Sequence, residues 1–317
     1  EIVFTAGGTE SDNLALFGAA SMRRSKGNHI ITSSIEHHAV LHACEELEKE
    51  GFRVTYLPVD HTGRVRPEDL EAALSEDTIL ISIMYANNEV GTIQPIEEIG
   101  RIARSRDILF HVDAVQALGA LPINCHELPV DMMSFSAHKI NGPQGVGALY
   151  VRKGLVIAPR LHGGLQEKKR RAGTENMAGI AGFGKAVEIA SRQMKERREH
   201  DLRLRQALIS TLEQKIGRDA FVINGHQEEC LPHIVNISFP QTDTETLLMN
   251  LDMEGIAAAS GSACTSGSLE LSHVLEAMQL PQNVLRSAIR FSFGLGNTTE
   301  DMEYTAQKIE TILRRLT

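Results

Sequence analysis

What most restricts the fold of this chain is an alternation in its first half. Short β-rich runs at residues 2–5, 29–34, 53–59, 78–84 and 109–112 are separated by stretches with helical apolar spacing, one ending near residue 24 and others at 37–50 and 96–104. Strands alternating with helices at this spacing make parallel βαβ units with right-handed crossovers, an α/β architecture. Sheets of that kind bind ligands outside the carboxyl ends of their strands. Thr9, His37, Asn88 and Asp113 all fall at such ends.

Each of these has a bland and a chemical reading. Gly7-Gly8-Thr9 after the first strand can be an inert helix start or a phosphate site made of free backbone N–H groups. His37 can cap its helix or lie over a flat cofactor. Asn87 and Asn88 suit a turn or a ligand-binding amide. Asp113 and Gln116 are three apart, so a helical turn there would aim both side chains the same way, as a heteroaromatic ring with a protonated nitrogen and a ring oxygen requires. The densest signal is Ser136-Ala137-His138-Lys139, which runs on to Gly142-Pro143 and Gly145 between strand candidates at 130–135 and 146–151. Ser136 and His138 can donate hydrogen bonds to an anion, and Lys139 is either a surface amine in a turn or a Schiff-base lysine.

The second half reads differently. A long helical pattern extends to about residue 216, followed by strands at 234–239 and 288–293 and helices at 244–254, 272–277 and 299–316. This divides the chain into a large domain, 1–195, and a small α+β domain, 196–317. Within the long helix, Gly179 to Lys185 matches the start of a P-loop, but Ala186 replaces the magnesium-binding hydroxyl and no strand precedes it, so the glycines are read as close helix packing. Small residues from 258 to 268 surround Cys264. Such a loop is expected to present its thiol rather than bury it.

Composition narrows the function. Among 317 residues, 32 basic and 41 acidic ones leave a net charge of −9, which speaks against nucleic acid as a partner. No stretch approaches the ~20 apolar residues of a membrane span, so a cytoplasmic location is expected. Cys44, Cys125, Cys230 and Cys264 show no Cys-x-x-Cys pairing, and the His38/His42 pair lacks the glutamate of a zinc helix, so no metal is expected. The chain opens at Glu1 directly on a strand, as if a natural start were missing.

The ordered motifs Phe-Thr-Ala-Gly-Gly-Thr-Glu-Ser-Asp-Asn-Leu-Ala, Glu-His-His-Ala-Val-Leu, Asn-Asn-Glu-Val-Gly, Val-Asp-Ala-Val-Gln, Ser-Ala-His-Lys, Arg-Ala-Gly-Thr and Ser-Gly-Ser-Ala-Cys-Thr-Ser resemble the pyridoxal-phosphate-dependent cysteine desulfurases of iron–sulfur cluster assembly, in the class V aminotransferase group. The resemblance implies the fold type I of pyridoxal-phosphate transferases, with a mostly parallel large lobe and a smaller α+β lobe. It implies that Lys139 carries pyridoxal 5'-phosphate, Asp113 pairs with the ring nitrogen, Gln116 bonds the ring oxygen and His37 stacks on the ring. Gly8, Thr9, Ser136 and His138 would hold the phosphate, with Thr174 reaching across a homodimer. Asn88 and Arg290 would orient L-cysteine, and Cys264 would take its sulfur as a persulfide for an acceptor protein, a cluster scaffold or a tRNA-thiolating enzyme. Leu165 and Lys169 depart from the glycines often found there. The rival readings are a selenocysteine or cysteine-sulfinate lyase and a catalytically silent docking protein of the same fold.

Overall fold

The computed structural model describes residues 1–261 and 271–316. The chain forms two compact units: unit 1 comprises 1–59, 65–86 and 94–194, and unit 2 comprises 60–64, 87–93 and 195–317.

Unit 1 is built on a seven-stranded sheet in the order β1-β7-β6-β5-β4-β2-β3. Its strands are β1 (Ile2–Thr5), β2 (His29–Ser33), β3 (Arg53–Leu57), β4 (Thr78–Ser82), β5 (Leu109–Asp113), β6 (Met132–Ser136) and β7 (Gly147–Val151). β2, β3, β4, β5 and β6 pair in parallel, while β7 runs against both β6 and β1. The inner strands β2, β4, β5 and β6 are buried at every position, the pattern of a sheet covered on both faces. Helices α1 (Gly8–Arg23), α2 (His38–Lys49), α3 (Pro67–Ala73) and α4 (Ile96–Ser105) follow the strands, and a single turn, α5 (Gln166–Lys169), lies beyond them. Alanines 15, 19 and 20 of α1 let the helix sit close to the sheet, in one core with Leu47 and Cys44 of α2. Cys44 is therefore a core residue, and burial pushes its thiol far above the usual range.

The division between the units falls within α6 (Met177–Ile216). Of the P-loop-like glycines in α6, Gly182 does mark close packing: a Cβ there would come within 2.5 Å of Pro143, whereas Gly184 faces open space. Unit 2 carries a three-stranded antiparallel sheet, β8 (Val222–Asn224), β9 (Ile234–Ser238) and β10 (Ala288–Ser292), with β9 central. Around it lie α7 (Thr244–Met253), α8 (His273–Ala277), α9 (Gln282–Leu285) and α10 (Thr299–Leu316). Leu208 and Leu212 of α6, Phe239, Leu251 of α7 and Ile309 of α10 meet in its core, each fully buried. α10 begins with a reciprocal box: the N–H of Thr298 donates to Asp301 Oδ2 (2.9 Å) and the N–H of Asp301 donates to Thr298 Oγ1 (3.2 Å). Its buried face carries Met302, Ile309, Ile312 and Leu313, while Leu316 at the helix end is exposed. Among the described residues no helix is long and apolar enough to cross a membrane.

Candidate active site

In unit 1 the parallel strands β5 and β6 lie side by side with Asp113 opposite Ser134. Two residues beyond Ser134, β6 ends at Ser136, and the chain tightens into a 3₁₀ turn, Ala137–Ile140, that presents His138 and Lys139 at the surface. The turn is closed by the N–H of Gly142 on the carbonyl of Ala137 (2.9 Å), with Asn141 in the left-handed region at φ 63. Ser136 is buried, and its hydroxyl stands 2.8 Å from His138 Nδ1. Short strands thus fix Asp113 and Ser136, while the turn sets Lys139 forward.

Gly8, Thr9, Ser136 and His138 line one cleft of about 810 Å³, with Gly7, Arg160 and Arg171 also in its wall. A Cβ on Gly8 would lie 2.7 Å from Val115 Cγ2, so glycine is needed to let α1 start against the segment after β5. The 16-residue α1 turns its unpaired N-terminal N–H groups and the positive end of its dipole to this region. Glu10 organises the entrance: it accepts from the N–H of Ala6 (2.7 Å) and takes a two-pronged bond from Arg171 (2.7 and 3.1 Å). The cleft has the chemistry of an anion site.

Besides Asp131, which pairs with Arg152, unit 1 buries three carboxylates, Asp12, Glu36 and Asp113. Desolvation raises all three. Asp12 is pushed well above the carboxylate range by burial, with Asp113 and Glu36 adding repulsion, and Glu36 is pushed up to about 8 by burial. Asp113 is pushed up to about 6 by burial, against which the N–H of Val115 (2.9 Å to Oδ1) and the charge of Lys139 both work. Asp113 is the one of the three whose ionised form a positive charge, that of Lys139, favours. His111 is fully buried between Ser82 Oγ (2.8 Å, at Nδ1) and Ser134 Oγ (2.9 Å, at Nε2), and desolvation lowers it to about 3, so it stays neutral beside Asp12.

His37 is the N-cap of α2, and its Nδ1 accepts from the N–H of Ala39 (3.0 Å), which leaves the ring proton on Nε2 when the imidazole is neutral. Glu36 anchors the approach to it. Its Oε1 accepts from Ser33 Oγ (2.5 Å) and from the N–H of Met84 (3.0 Å), tying the end of β2 to the segment after β4. Gln116 lies in a hydrogen-bonded turn after β5, in which the N–H of Ala117 meets the carbonyl of Ala114, and not in a regular helix. Thr174 is exposed. Lys169, at a position expected to favour glycine, has φ 67 and follows two further left-handed residues, Glu167 and Lys168.

Asn88 belongs to unit 2 and not to the sheet whose strand precedes it. There its carbonyl accepts from Arg290 Nη1 (3.0 Å), and Arg290 Nε is buried with no hydrogen-bond partner among the described residues. Cys264 lies outside the described residues. Burial raises the thiols of Cys125 and Cys230, as it does that of Cys44. No group of His, Cys, Asp and Glu among the described residues could hold a metal ion. Asp12, Glu36, His111 and Glu89 went unnoticed in the sequence, although Glu36 and Glu89 stand inside the Glu-His-His and Asn-Asn-Glu motifs, where an acid flanked by site residues was the available signal.

Comparison with known proteins adds the chemistry. The family pattern "Aminotransferase class-V" matches residues 1–305. The cysteine desulfurase IscS of Dictyoglomus turgidum is 52% identical over all of this chain and 80% of its own length. That of Methanosarcina thermophila is 53% identical over all of this chain and 78% of its own. A solved NifS-like protein, 42% identical, superposes with a TM-score of 0.91 over 99% of this chain and 83% of the other. The chain belongs to the class-V aminotransferase family, among its pyridoxal-phosphate-dependent cysteine desulfurases.

Proposed function

We propose that this protein takes the sulfur of L-cysteine onto Cys264 as a persulfide, releases L-alanine and passes the sulfur to an acceptor protein, either a cluster scaffold or a tRNA-thiolating enzyme. The observation that carries the reading is Asp113. It is a buried carboxylate one strand away from the Lys139 turn, and of the clustered acids Asp12, Glu36 and Asp113 it is the one whose ionised form a nearby cation favours. Such an anion inside a sheet needs a cationic partner, and the protonated ring nitrogen of pyridoxal phosphate is one. The remaining groups fit the same molecule. Lys139 would hold its aldehyde carbon, His37 would cover the ring and Gln116 would bond the ring oxygen. The phosphate would be held by Gly8, Thr9, Ser136 and His138. Thr174, exposed in unit 1, would reach the phosphate site of a second copy in a homodimer.

When bound, the cofactor supplies an electron sink for charge developing on the substrate carbon skeleton. The protein supplies the rest. Arg290 and Asn88 orient the substrate carboxylate and amine, and Lys139 moves the proton at the substrate Cα. The thiolate of Cys264 attacks the substrate sulfur, the substrate C–S bond breaks with its electron pair left on carbon, and protons complete L-alanine. L-cysteine plus a protein thiol thus yields L-alanine plus a protein persulfide. A cytoplasmic location accords with an acceptor protein that must meet the persulfide in a reducing compartment.

Mass spectrometry of the cofactor-loaded protein after brief exposure to L-cysteine tests the reading. One extra sulfur on Cys264, with L-alanine in the medium and neither in Cys264→Ser, is expected. Sulfur on Cys44, Cys125 or Cys230 with activity surviving in Cys264→Ser would remove the assigned nucleophile and favour a lyase.

A further inference from the structure

We infer that Glu89 positions Arg290 for the substrate carboxylate: a buried acid held off the guanidinium by Ser272 balances its charge without occupying its hydrogen-bonding edge. The inference rests on the reading of Arg290 given above, and all the residues concerned lie in unit 2.

Glu89 is 2% exposed. The turn that carries it is rigid: Asn87 Oδ1 accepts from the N–H groups of Glu89 (2.8 Å) and Val90 (3.0 Å), and Asn236 Nδ2 donates to the Glu89 carbonyl (3.3 Å). The same turn offers the Asn88 carbonyl to Arg290 Nη1 at 3.0 Å. From its other side, Arg290 is tied by its main chain to Ala259, donating to it at 2.7 Å and accepting from it at 3.2 Å. Two residues after Ala259 the Glu89 carboxylate fills the space at Gly261, where a Cβ would lie 2.0 Å from Oε2. Glu89 therefore packs against both strands of chain that hold Arg290.

The charges agree with the packing. A guanidinium with a buried Nε is costly unless an acid lies near, yet no carboxylate of the described residues forms an ion pair with Arg290. Its direct partner is a neutral carbonyl. Burial raises the Glu89 carboxyl above its usual range, while the Ser272 hydroxyl (2.5 Å to Oε2) and the charges of His273 and Arg290 draw it back down. Ser272 is itself fixed as the N-cap of α8, accepting from the N–H of Leu275 (3.2 Å). A direct Glu89–Arg290 ion pair would compete with a carboxylate ligand; with Oε2 taken by Ser272, none forms among the described residues.

The test uses the cofactor-loaded protein and two ligands followed by the cofactor's visible absorption: L-alanine, which has a carboxylate, and ethylamine, which lacks one. Glu89→Gln is expected to weaken L-alanine binding about tenfold and leave ethylamine unchanged, with the double variant Glu89→Gln/Arg290→Lys no weaker than Arg290→Lys alone. Equal weakening of both ligands would show a merely structural role and overturn the inference, as would unchanged L-alanine binding in Glu89→Gln. If Arg290→Lys itself leaves L-alanine binding intact, the reading of Arg290 fails and the inference falls with it. Should Glu89→Gln not fold, Ser272→Ala releases the acid without removing it. A carboxylate-selective loss of about threefold supports the inference, and a loss shared with ethylamine refutes it.

Discussion

The two units bury charge in opposite ways. Unit 1 crowds Asp12, Glu36 and Asp113 at the carboxyl ends of β5, β2 and their neighbours, where desolvation and mutual repulsion raise their carboxyls above the ordinary range. Unit 2 has a leucine- and phenylalanine-rich core, and among the described residues its only buried carboxylate is Glu89, bound by a serine and facing an arginine. In unit 1 packing energy is set against an electrostatic arrangement that would suit the cationic ring proposed above; in unit 2 packing supports a single oriented guanidinium. Substitutions should therefore separate chemistry from stability according to the unit they fall in.

The sharpest separation is expected at Lys139. Lys139→Ala should abolish L-alanine production and covalent attachment of the cofactor while leaving the unfolding midpoint of the cofactor-free protein unchanged, since the side chain is exposed at the turn. Borohydride reduction followed by peptide mapping checks it, and reduced cofactor on another lysine would break the contrast. Phe239→Ala makes the complementary case. Phe239 is fully buried in the unit 2 core, so its loss should cost about 3–5 kcal/mol in urea unfolding. A cost under about 1 kcal/mol would mean that this core is looser than its burial indicates.

Asp113→Asn should lower turnover about 100-fold while the protein still binds cofactor, because the phosphate contacts proposed at α1 and Ser136 would persist and only the proposed anionic partner of the ring would be lost. Steady-state L-alanine release measures it. Unchanged turnover would deprive the Asp113 cluster of its chemical meaning.

Much of this was legible before the structure. The sheet of unit 1 follows from apolar runs long enough to be covered on both faces, and the site motifs from their place at the ends of those runs. The short elements escaped. α3 has a Pro at its start and acids in its first turn, which are helix-start signals, but a single buried residue, Leu70, gave no periodicity to find. β8 is three residues long and half exposed. Asn88 reads as the end of β4 because only long-range contacts show that residues 87–93 leave unit 1 and join unit 2. Glu36 and Glu89 look like surface acids in a string, since what buries them arrives from positions as distant as Met84 and Ser272.

Glu36 offers the finest test of the contrast, through pH. Its carboxyl stands at about 8 in the folded protein against an ordinary value of 4.5, raised by burial and by Asp113 and held back by Ser33 and the N–H of Met84. Between those values the folded state keeps the proton and the unfolded state has lost it. Unfolding then releases a proton, so Glu36 makes the native state lose stability as pH rises through this window, with no effect below 4.5 and none further above 8. Glutamine keeps a carbonyl oxygen for Ser33 and Met84 but cannot ionise. Relative to the unsubstituted protein, Glu36→Gln should gain about 1 kcal/mol between pH 7 and pH 8 in urea unfolding and nothing between pH 3 and pH 4. Asp12 and Cys44 are raised in part by the charge of Glu36, and Glu36 in part by that of Asp113, so the difference reports Glu36 together with the relief of its neighbours, while His111 is set by burial alone. No equivalent slope is expected from the apolar core of unit 2. A flat difference across the whole range would mean that Glu36 is ionised in the folded protein, with its charge met by something other than Ser33 and Met84, and the division of charge within unit 1 would have to be redrawn around it.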